Sequence, residues 1–302
     1  MSRTMQAKRQ TGQPVEQRKG TKRLGSRKYT ASKGPIIKWV GGKKRLLNEL
    51  LKRVPSTFGQ YIEPFAGGAA LFHELSPSKA ILSDFNSDLI NTYDAVAWNV
   101  EGVIRRLAHH QRKHSEEHFY QMRTRWNARL TKDKSMDRAA LFIYLNKTCF
   151  NGLWRVNKKG EYNVPMGRYA SPTVCDKDSL RAASPRLRRA KLLAGDFRKA
   201  LQKAKKGDFI YLDPPYQPAS KTSNFTSYTE SKFGEAEQEI LANESFQLAE
   251  RGVKVLLSNS DTPLIRKLYK KATIERVSCS RAINSNASKR GPVGEVLVTI
   301  GY

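Results

Sequence analysis

The fold is decided by the sequence YIEPFAGGAALFHEL at residues 61–75 and by AILSD at residues 80–84. Tyr61 and Ile62 are typical of a short buried strand, and the Gly67-Gly68 pair after them predicts a tight turn into a helix over residues 69–75. A second apolar run then ends in Asp84. A strand, a glycine turn, a helix and a strand in this order predict a parallel α/β sheet.

The alternation of strands and helices continues towards the C-terminus. Strands are predicted at residues 192–193, 209–212, 253–257 and 295–300, and helices at 45–53, 235–251 and 263–271. Residues 86–150 carry apolar side chains at helical spacing, whereas residues 151–190 are rich in loops. We therefore predict a Rossmann-like, mostly parallel sheet domain (residues 34–87 and 189–302) interrupted by an inserted, mainly helical domain (residues 88–188).

The charge of the chain points to a polyanionic partner. The 55 Lys and Arg residues exceed the 27 Asp and Glu residues by 28. Residues 1–35 hold ten basic residues against Glu16 alone, a net +9, so the rest of the chain keeps +19. Such an excess favours nucleic acid over an acidic surface as the partner. Residues 1–33 hold few apolar side chains and predict a disordered basic tail.

Several other classes of protein are not indicated. The three cysteines are far apart and form no CxxC pair, which fits a reducing cytoplasm without disulfides. No stretch is long and apolar enough to predict a membrane span or a secretory signal. His114 and His118 stand four residues apart, which we interpret as a solvated helix face because no third ligand lies nearby. We expect no metal.

The most specific motif is DPPY at residues 213–216, directly after the apolar run FIYL at residues 209–212. Ligands bind open α/β sheets at the carboxyl ends of their strands. The two prolines fix φ and donate no hydrogen bond, so this strand end presents a rigid carboxylate, free carbonyl groups and an aromatic ring. Acceptors beside a stacking ring suit an amino group on a flat base. The alternative is an ordinary proline-rich turn.

The glycine turn at residues 67–68 is a second candidate site. Without Cβ atoms, Gly67 and Gly68 let a cofactor approach the backbone closely. Asp84, at the end of the next strand, is placed to accept hydrogen bonds from ribose hydroxyl groups. Its alternative role is to cap the helix that follows. A dinucleotide site is less well supported because no G-x-G-x-x-G follows the strand.

Three segments in order resemble the Dam family of DNA adenine-N6 methyltransferases, which use S-adenosylmethionine: KWVGGK at residues 38–43, EPFAGGAA at 63–70 and DPPY at 213–216. The resemblance covers residues 35–302. It implies an S-adenosylmethionine-dependent methyltransferase sheet in which Asp213, Pro214, Pro215 and Tyr216 are catalytic. It also implies that the cofactor is bound by Trp39, Lys43, Glu63, Phe65, Gly67, Asp84, Asp196, Phe197 and Asp213.

The inserted segment resembles the hairpin with which this family recognises its target, usually GATC. By this resemblance Arg155 reads guanine, Phe150 enters the base stack, and Leu153 and Pro165 lie near a thymine methyl group. The resemblance places further DNA contacts at Lys38, Asn151, Tyr169, Asn224, Phe225 and Tyr228. The last three belong to a loop that closes over the target base. The resemblance also implies phosphate contacts in the basic loop at residues 281–291.

The resemblance implies that the partner is double-stranded DNA. We expect a monomer that acts in the cytoplasm at the nucleoid. Two alternatives remain open at this point. One is a methyltransferase that acts on RNA or on another amino group, since such enzymes share the short motifs. The other is a non-catalytic DNA-binding protein on the same fold.

Overall fold

Seven strands form one sheet in this computed structural model, which describes residues 34–128, 136–218, 233–280 and 292–302. In chain order they are β1 (Tyr61–Glu63), β2 (Ala80–Asp84), β3 (Ala190–Ala194), β4 (Phe209–Leu212), β5 (Lys254–Ser260), β6 (Thr273–Ser280) and β7 (Pro292–Ile300). The described residues all belong to one compact unit, Ala31–Tyr302. The predicted basic tail, residues 1–33, lies outside them.

The strand order across the sheet is β3-β2-β1-β4-β5-β7-β6. Strands β1 to β5 pair in parallel, and β7 runs antiparallel between β5 and β6. The carboxyl ends of β1, β2 and β4 therefore meet at the same edge of the sheet, which is where open α/β sheets bind ligands. The predicted fold class, a mostly parallel α/β sheet, is confirmed.

Helices cover the connections between the strands. They are α1 (Leu47–Leu51), α2 (Ala70–Leu75), α3 (Ser87–Arg112), α4 (Glu116–Asn127), α5 (Met136–Thr148), α6 (Lys177–Leu187), α7 (Arg198–Leu201), α8 (Glu235–Glu250) and α9 (Pro263–Leu268). Asn86, Ser115, Asp176 and Thr262 cap α3, α4, α6 and α9 by accepting from a backbone N–H three residues on. Helix α3 is kinked at Asn99.

Alternate residues of the strands bury their side chains on opposite faces of the sheet. Tyr61 and Phe209 join a core with α3 and α5, whereas Ile62, Ile210 and Leu212 join a second core with α8 and α9. Helices on both faces explain why β1 and β4 are buried along their whole length. The inserted helices α3 to α5 share the first core with the sheet, and a separate domain at residues 88–188 remains a prediction.

Two predicted segments differ from the structure. The loop prediction for residues 151–190 is wrong at α6, whose Leu180, Ala183 and Leu187 form a buried face at spacings of three and four. Strand β6 was not predicted. It is an edge strand whose described side chains are mostly exposed, so its apolar alternation is weak.

The interpretation of His114 and His118 as a solvated helix face is wrong. His118 is 9% exposed, and its Nε2 lies 3.1 Å from Nδ1 of His110. His114 lies between α3 and α4, with Nδ1 3.0 Å from the Tyr144 hydroxyl group. Burial lowers the pKa of His110 to about 4. In the described part of the chain, no three His, Cys, Asp or Glu residues are placed to hold a metal ion, and no helix there is long and apolar enough to span a membrane.

Candidate active site

Asp213 lies at the carboxyl end of β4 and is held by two donors. Lys43 Nζ is 2.8 Å from its Oδ1, and Ser258 Oγ donates to the same atom at 2.9 Å. Because Ser258 gives its proton to Asp213, the Tyr211 hydroxyl group, 2.9 Å from Ser258 Oγ, is the donor in that contact. The chain Tyr211–Ser258–Asp213 thus fixes the carboxylate in one orientation.

The environment of Asp213 sets its protonation. Burial raises the pKa of the Asp213 carboxyl above its ordinary value, while the charge and hydrogen bond of Lys43 and the hydrogen bond of Ser258 oppose that rise. The side chain still keeps 19% of its surface exposed. Asp213 is therefore a partly desolvated acceptor that a small ligand can reach.

Tyr216 supplies an aromatic ring next to this carboxylate. Lys43 Nζ lies 4.6 Å from the ring centroid, and the hydroxyl group donates to Glu295 Oε2 at 3.0 Å. Glu295 belongs to β7 and is 8% exposed. Two elements distant in sequence, the Lys43 segment and β7, thus hold the ring in place.

A buried polar network fixes the backbone of the segment that follows the strand. Gln238 Nε2 donates to the carbonyl of Pro215 at 2.9 Å, and Asn259 Nδ2 donates to Gln238 Oε1 at 3.1 Å. Asn259 Oδ1 accepts from the Gln217 N–H at 3.1 Å, and Ser260 Oγ donates to the Gln217 carbonyl. Gln238 and Asn259 are fully buried. Gln238, Asn259 and Ser260 are not among the residues that the sequence predicts for the site.

The glycine turn packs beneath Trp39. Gly67 has φ +45°, and a Cβ atom there would lie 2.6 Å from Trp39 Cδ1. Its N–H donates to Asp84 Oδ2 at 2.9 Å, and the Asn86 N–H donates to Asp84 Oδ1 at 2.9 Å. The α3 cap is Asn86, so Asp84 does not cap that helix itself. Each carboxylate oxygen keeps a lone pair for a further donor.

Glu63 ends β1, the strand that lies between β2, which ends in Asp84, and β4, which Asp213 follows, and it is almost fully buried, at 2% exposure. The Tyr61 hydroxyl group donates to its Oε2 at 2.9 Å. Burial raises the pKa of Glu63 well above its ordinary value, and the nearby Asp213 and Asp84 carboxylates add to this. Glu63 is therefore a buried carboxyl group that ionises less readily than an exposed glutamate.

Aromatic side chains cluster beside Asp84. The Phe65 and Phe197 rings are stacked with centroids 5.3 Å apart, and Phe233 meets both edge-on. Phe85, directly after Asp84, is 51% exposed although it is a large apolar side chain. Asp196 pairs with Arg198, which lowers the pKa of the Asp196 carboxyl. Phe85 was not predicted; its only signal was an apolar residue directly after the acidic strand end.

Glu63, Asp84 and Asp213 thus lie at the carboxyl ends of β1, β2 and β4, with Trp39 packed on Gly67 and Lys43 paired with Asp213. This edge of the sheet offers aromatic rings for a flat base, the Asp84 carboxylate for ribose hydroxyl groups and a glycine turn without Cβ atoms. The Lys43 ammonium group suits a ligand carboxylate, and the Asp213 carboxylate beside it suits a ligand ammonium group. This donor set fits S-adenosylmethionine, which carries each of these parts.

The predicted target hairpin is present as two short antiparallel bridges, Cys149 with Met166 and Val156 with Tyr162. Trp154 anchors it: its ring centroid lies 3.9 Å from that of Phe142 and 4.6 Å from that of Tyr162. The hairpin is thus a surface loop fixed by an aromatic core.

The predicted DNA-contacting side chains differ in how far they are available. Phe150 is 52% exposed, and Pro165 and Asn151 are exposed as well. Arg155 is half-buried and donates from Nε to Asn163 Oδ1 at 2.8 Å, which orients its guanidinium group. Leu153 is partly buried against the core, so it offers only part of its surface.

Lys38 joins the hairpin to the cofactor motif. Its Nζ lies 3.7 Å from the Tyr169 ring centroid, and its backbone N–H and carbonyl pair with the side chain of Asn146 at 2.9 and 2.8 Å. Asn146 is fully buried and also donates to the Gly152 carbonyl at 3.2 Å. Asn146, which is not among the predicted site residues, links the two segments.

The remaining predictions fall on segments that the structure does not describe. They are Asn224, Phe225 and Tyr228 of the loop after DPPY, and the basic loop at residues 281–291. Their roles stay predictions.

Known proteins share sequence with this chain along most of its length. The model of the D12 class N6 adenine-specific DNA methyltransferases matches residues 39–283. The type II methyltransferase M1.LlaDCHI of Lactococcus lactis is 42% identical over 268 residues, which cover 88% of this chain and 94% of that protein. The DNA adenine methylases of Haemophilus influenzae and Escherichia coli K12 are each 36% identical, over 88% and 87% of this chain and 93% of each relative.

Proposed function

Because the chain belongs to the D12 class N6 adenine-specific DNA methyltransferase family, we propose that it transfers the methyl group of S-adenosylmethionine to N6 of adenine in duplex DNA. The observation that carries this proposal is the partly desolvated Asp213 carboxylate, fixed by Lys43 and Ser258 next to the Tyr216 ring. An oriented acceptor beside a flat ring is what an exocyclic amino group on a base requires.

The target adenine leaves the base stack before it reacts. Its amino group cannot meet Asp213 inside the duplex, and extruding a base costs a few kcal/mol. Tyr216 then stacks on the extruded base, since its ring is held from behind by Glu295 and is not free to turn away. Phe150, exposed at the hairpin, fills the gap that the base leaves in the duplex.

The chemistry at N6 depends on the two acceptors of the DPPY segment. The Asp213 carboxylate and the Pro214 carbonyl accept the two N6 hydrogens and draw the nitrogen lone pair out of conjugation with the ring. Bound S-adenosylmethionine would supply an electrophilic methyl group and would keep the electron pair of the broken carbon–sulfur bond, which leaves S-adenosylhomocysteine. As N6 gains positive charge, the preplaced Asp213 carboxylate stabilises it, and the methylated nitrogen then releases one proton to solvent.

The residues at the carboxyl ends of β1, β2 and β4 would hold the cofactor. Asp84 would accept from the ribose hydroxyl groups, and Phe85 and Phe197 would flank the adenine ring. Gly67, Trp39, Phe65 and Glu63 would line the rest of the site. Lys43 and Asp213 would pair with the carboxylate and ammonium groups of the methionine part. Asp196, paired with Arg198, would close the adenine end.

We further propose GATC as the target. Arg155 presents its guanidinium group from the anchored hairpin, oriented by Asn163, and an arginine fork matches the O6 and N7 edge of guanine. Pro165 and the exposed part of Leu153 suit contact with a thymine methyl group. Lys38, Asn151 and Tyr169 flank this surface.

The test of the activity is methyl transfer from labelled cofactor by an Asp213→Asn variant. We expect a loss of about 10²–10³-fold or more in single-turnover rate, because the amide keeps the shape but not the charge. Cofactor affinity measured by calorimetry should change much less. Asp94→Asn, an exposed position on α3, is the matched control and should keep full activity. Unchanged turnover in Asp213→Asn would refute the assignment.

The substrate is tested with duplexes that vary each base of the site, together with single-stranded DNA and RNA. Methylation of GATC duplexes alone supports the whole proposal. Methylation of RNA in preference to DNA would point to the alternative substrate class. Cofactor binding or DNA binding without any methyl transfer would point to a non-catalytic protein on this fold.

A further inference from the structure

The amino ends of the sheet strands carry a second charged surface, on the side of the domain away from the active-site cleft. Parallel strands place all their first residues at one edge, as they place their last residues at the other. Six exposed cations stand just before β3, β2 and β4, which with β1 form four adjacent strands: Lys79, Arg188, Arg189, Lys203, Lys205 and Lys206. We call these six residues the basic edge.

Backbone contacts bring the six positions of the basic edge together. The Lys79 carbonyl accepts from the Tyr61 N–H at 3.0 Å, and the Arg189 carbonyl accepts from the Ala80 N–H at 3.3 Å. The stem of Lys206 lies against Gly252, at the start of β5. Neighbouring strands are about 4.8 Å apart, so these cations spread over roughly 15 Å. This is a continuous surface rather than a set of isolated charges.

Few negative charges offset the basic edge. Residues 186–206 hold nine basic residues and one acidic residue, Asp196. Asp208, in the same edge, is 6% exposed and turned inward, where its carboxylate accepts from the N–H groups of Gln60 and Lys205. Among the described residues, none of the six cations forms an ion pair with a carboxylate. Their charge is therefore not neutralised by a carboxylate, although the Arg189 guanidinium group donates to the Pro185 carbonyl and to Ser76 Oγ.

The basic edge lies at the opposite end of the strands from the active site, so it faces away from the DNA that presents its base to Asp213. Asp208 and Asp213 mark the two ends of β4 and are five residues apart, which is about 16 Å along an extended strand. A duplex that presents a base to Asp213 lies across the opposite end of the strands. A surface needed only for catalysis would not require six unpaired cations here.

We propose that the basic edge binds the phosphate backbone of a second duplex segment, so that one protein molecule holds two stretches of DNA. Unpaired cations at a spacing of several ångströms match the phosphates of duplex DNA, and contacts of this kind carry no base sequence. Trp98, which is 65% exposed at the kink of α3, lies near the basic edge. The carbonyl of its neighbour Ala97 accepts a hydrogen bond from Ser184 Oγ, in the last turn of α6, and Arg188 of the basic edge follows that helix directly.

The test asks whether a second duplex binds when the cleft is already occupied. The full-length protein is saturated with a short duplex that contains the target site and carries one dye. A duplex without the site, carrying a second dye, is then titrated, and sedimentation with both dyes gives the composition of the complex. We expect one protein with two duplexes, the second bound without sequence preference.

Neutralising the basic edge should remove the second duplex only. In a Lys203→Gln, Lys205→Gln, Lys206→Gln variant we expect the affinity for the second duplex at 0.1 M salt to fall at least about tenfold. The slope of log affinity against log salt should become shallower by about 2.7, which is 0.9 for each lost cation. Single-turnover methylation of the short duplex should stay unchanged, which separates this inference from the proposed function.

A variant with three exposed cations removed elsewhere is the matched control. Arg105→Gln, Arg112→Gln, Lys113→Gln lowers the net charge by the same amount on α3 and its end, and it should keep the second duplex. Equal losses in both variants, or a complex with only one duplex in the unmodified protein, would overturn the proposal. The proposal would also be overturned if the basic edge bound anionic phosphatidylglycerol vesicles and the protein bound no second duplex.

Discussion

Gln238 tests whether the DPPY segment must be held rigidly for catalysis. Its fully buried side chain joins the Pro215 carbonyl, at 2.9 Å, to the fully buried Asn259, at 3.1 Å. A Gln238→Ala variant leaves the Asn259 amide buried without this partner, whereas Pro215 is an exposed residue. One unpaired buried group costs about 1–3 kcal/mol, so the free energy of unfolding should fall by about that amount.

The effect on catalysis should exceed the effect on binding. Pro215 lies next to the carbonyl of Pro214, which we propose accepts an N6 hydrogen, and a misplacement of about 1 Å can cost roughly 10²-fold in rate. We expect kcat to fall by about that factor while the cofactor dissociation constant, measured by calorimetry, stays within about threefold. Denaturant unfolding and single-turnover kinetics give the two quantities.

Ser245→Ala on the same helix is the matched control. Ser245 is fully buried, lies seven residues after Gln238 and donates to the Leu241 carbonyl of its own helix, away from the DPPY segment. The variant should lose about 1 kcal/mol of stability and keep its kcat. If Gln238→Ala lost stability but kept full kcat, Gln238 would be a purely structural residue and the positioning argument would fail.

Three further outcomes follow from the site. Lys43→Gln should move the acidic limb of the kcat/KM profile to higher pH, because Lys43 opposes the rise in the pKa of Asp213 and the reaction needs the carboxylate. Arg155→Ala should weaken binding to the target duplex by about 1–3 kcal/mol and relax the preference for guanine, measured with duplexes that vary this base. Phe85→Ala should weaken cofactor binding by about 1–2 kcal/mol in calorimetry, since it removes an exposed ring beside Asp84.

Each of these outcomes has a result that would contradict it. An unchanged acidic limb in Lys43→Gln would mean that Asp213 does not control the pH dependence. Equal weakening of every duplex by Arg155→Ala would indicate a phosphate contact instead of a base contact. Normal cofactor affinity in Phe85→Ala would leave Phe85 outside the cofactor site, and Trp98→Ala, at another exposed aromatic residue, is the control for non-specific effects.

Much of the sheet could be predicted from the sequence because its signals are local. The apolar runs of β2 and β4, the Gly67-Gly68 turn and the carboxylates at the strand ends are each contained within a few residues. Helix α6 was missed because its apolar face is narrow and Pro185 lies inside it. Strand β6 was missed because an edge strand buries too little to show a clear alternation.

The partners of the site residues could not be predicted, since they come from distant parts of the chain. Lys43 is 170 residues from Asp213, and Asn146 is 108 residues from Lys38. Residue type alone does not say which lysine pairs with which carboxylate. Likewise, Gln238 and Asn259 look like ordinary polar positions of a helix and a strand until the fold buries both.

The order of motifs along the chain determined the family resemblance, the parallel α/β class and the list of candidate residues, because these depend on local residue type and spacing. Only the tertiary structure decided which of those residues share a cleft. The parallel pairing of β1, β2 and β4 brings their carboxyl ends, with Glu63, Asp84 and Asp213, to one edge of the sheet. The same pairing gathers the cations at the opposite edge, where no sequence motif marks them, because adjacency across a sheet is a property of strand order and not of chain order.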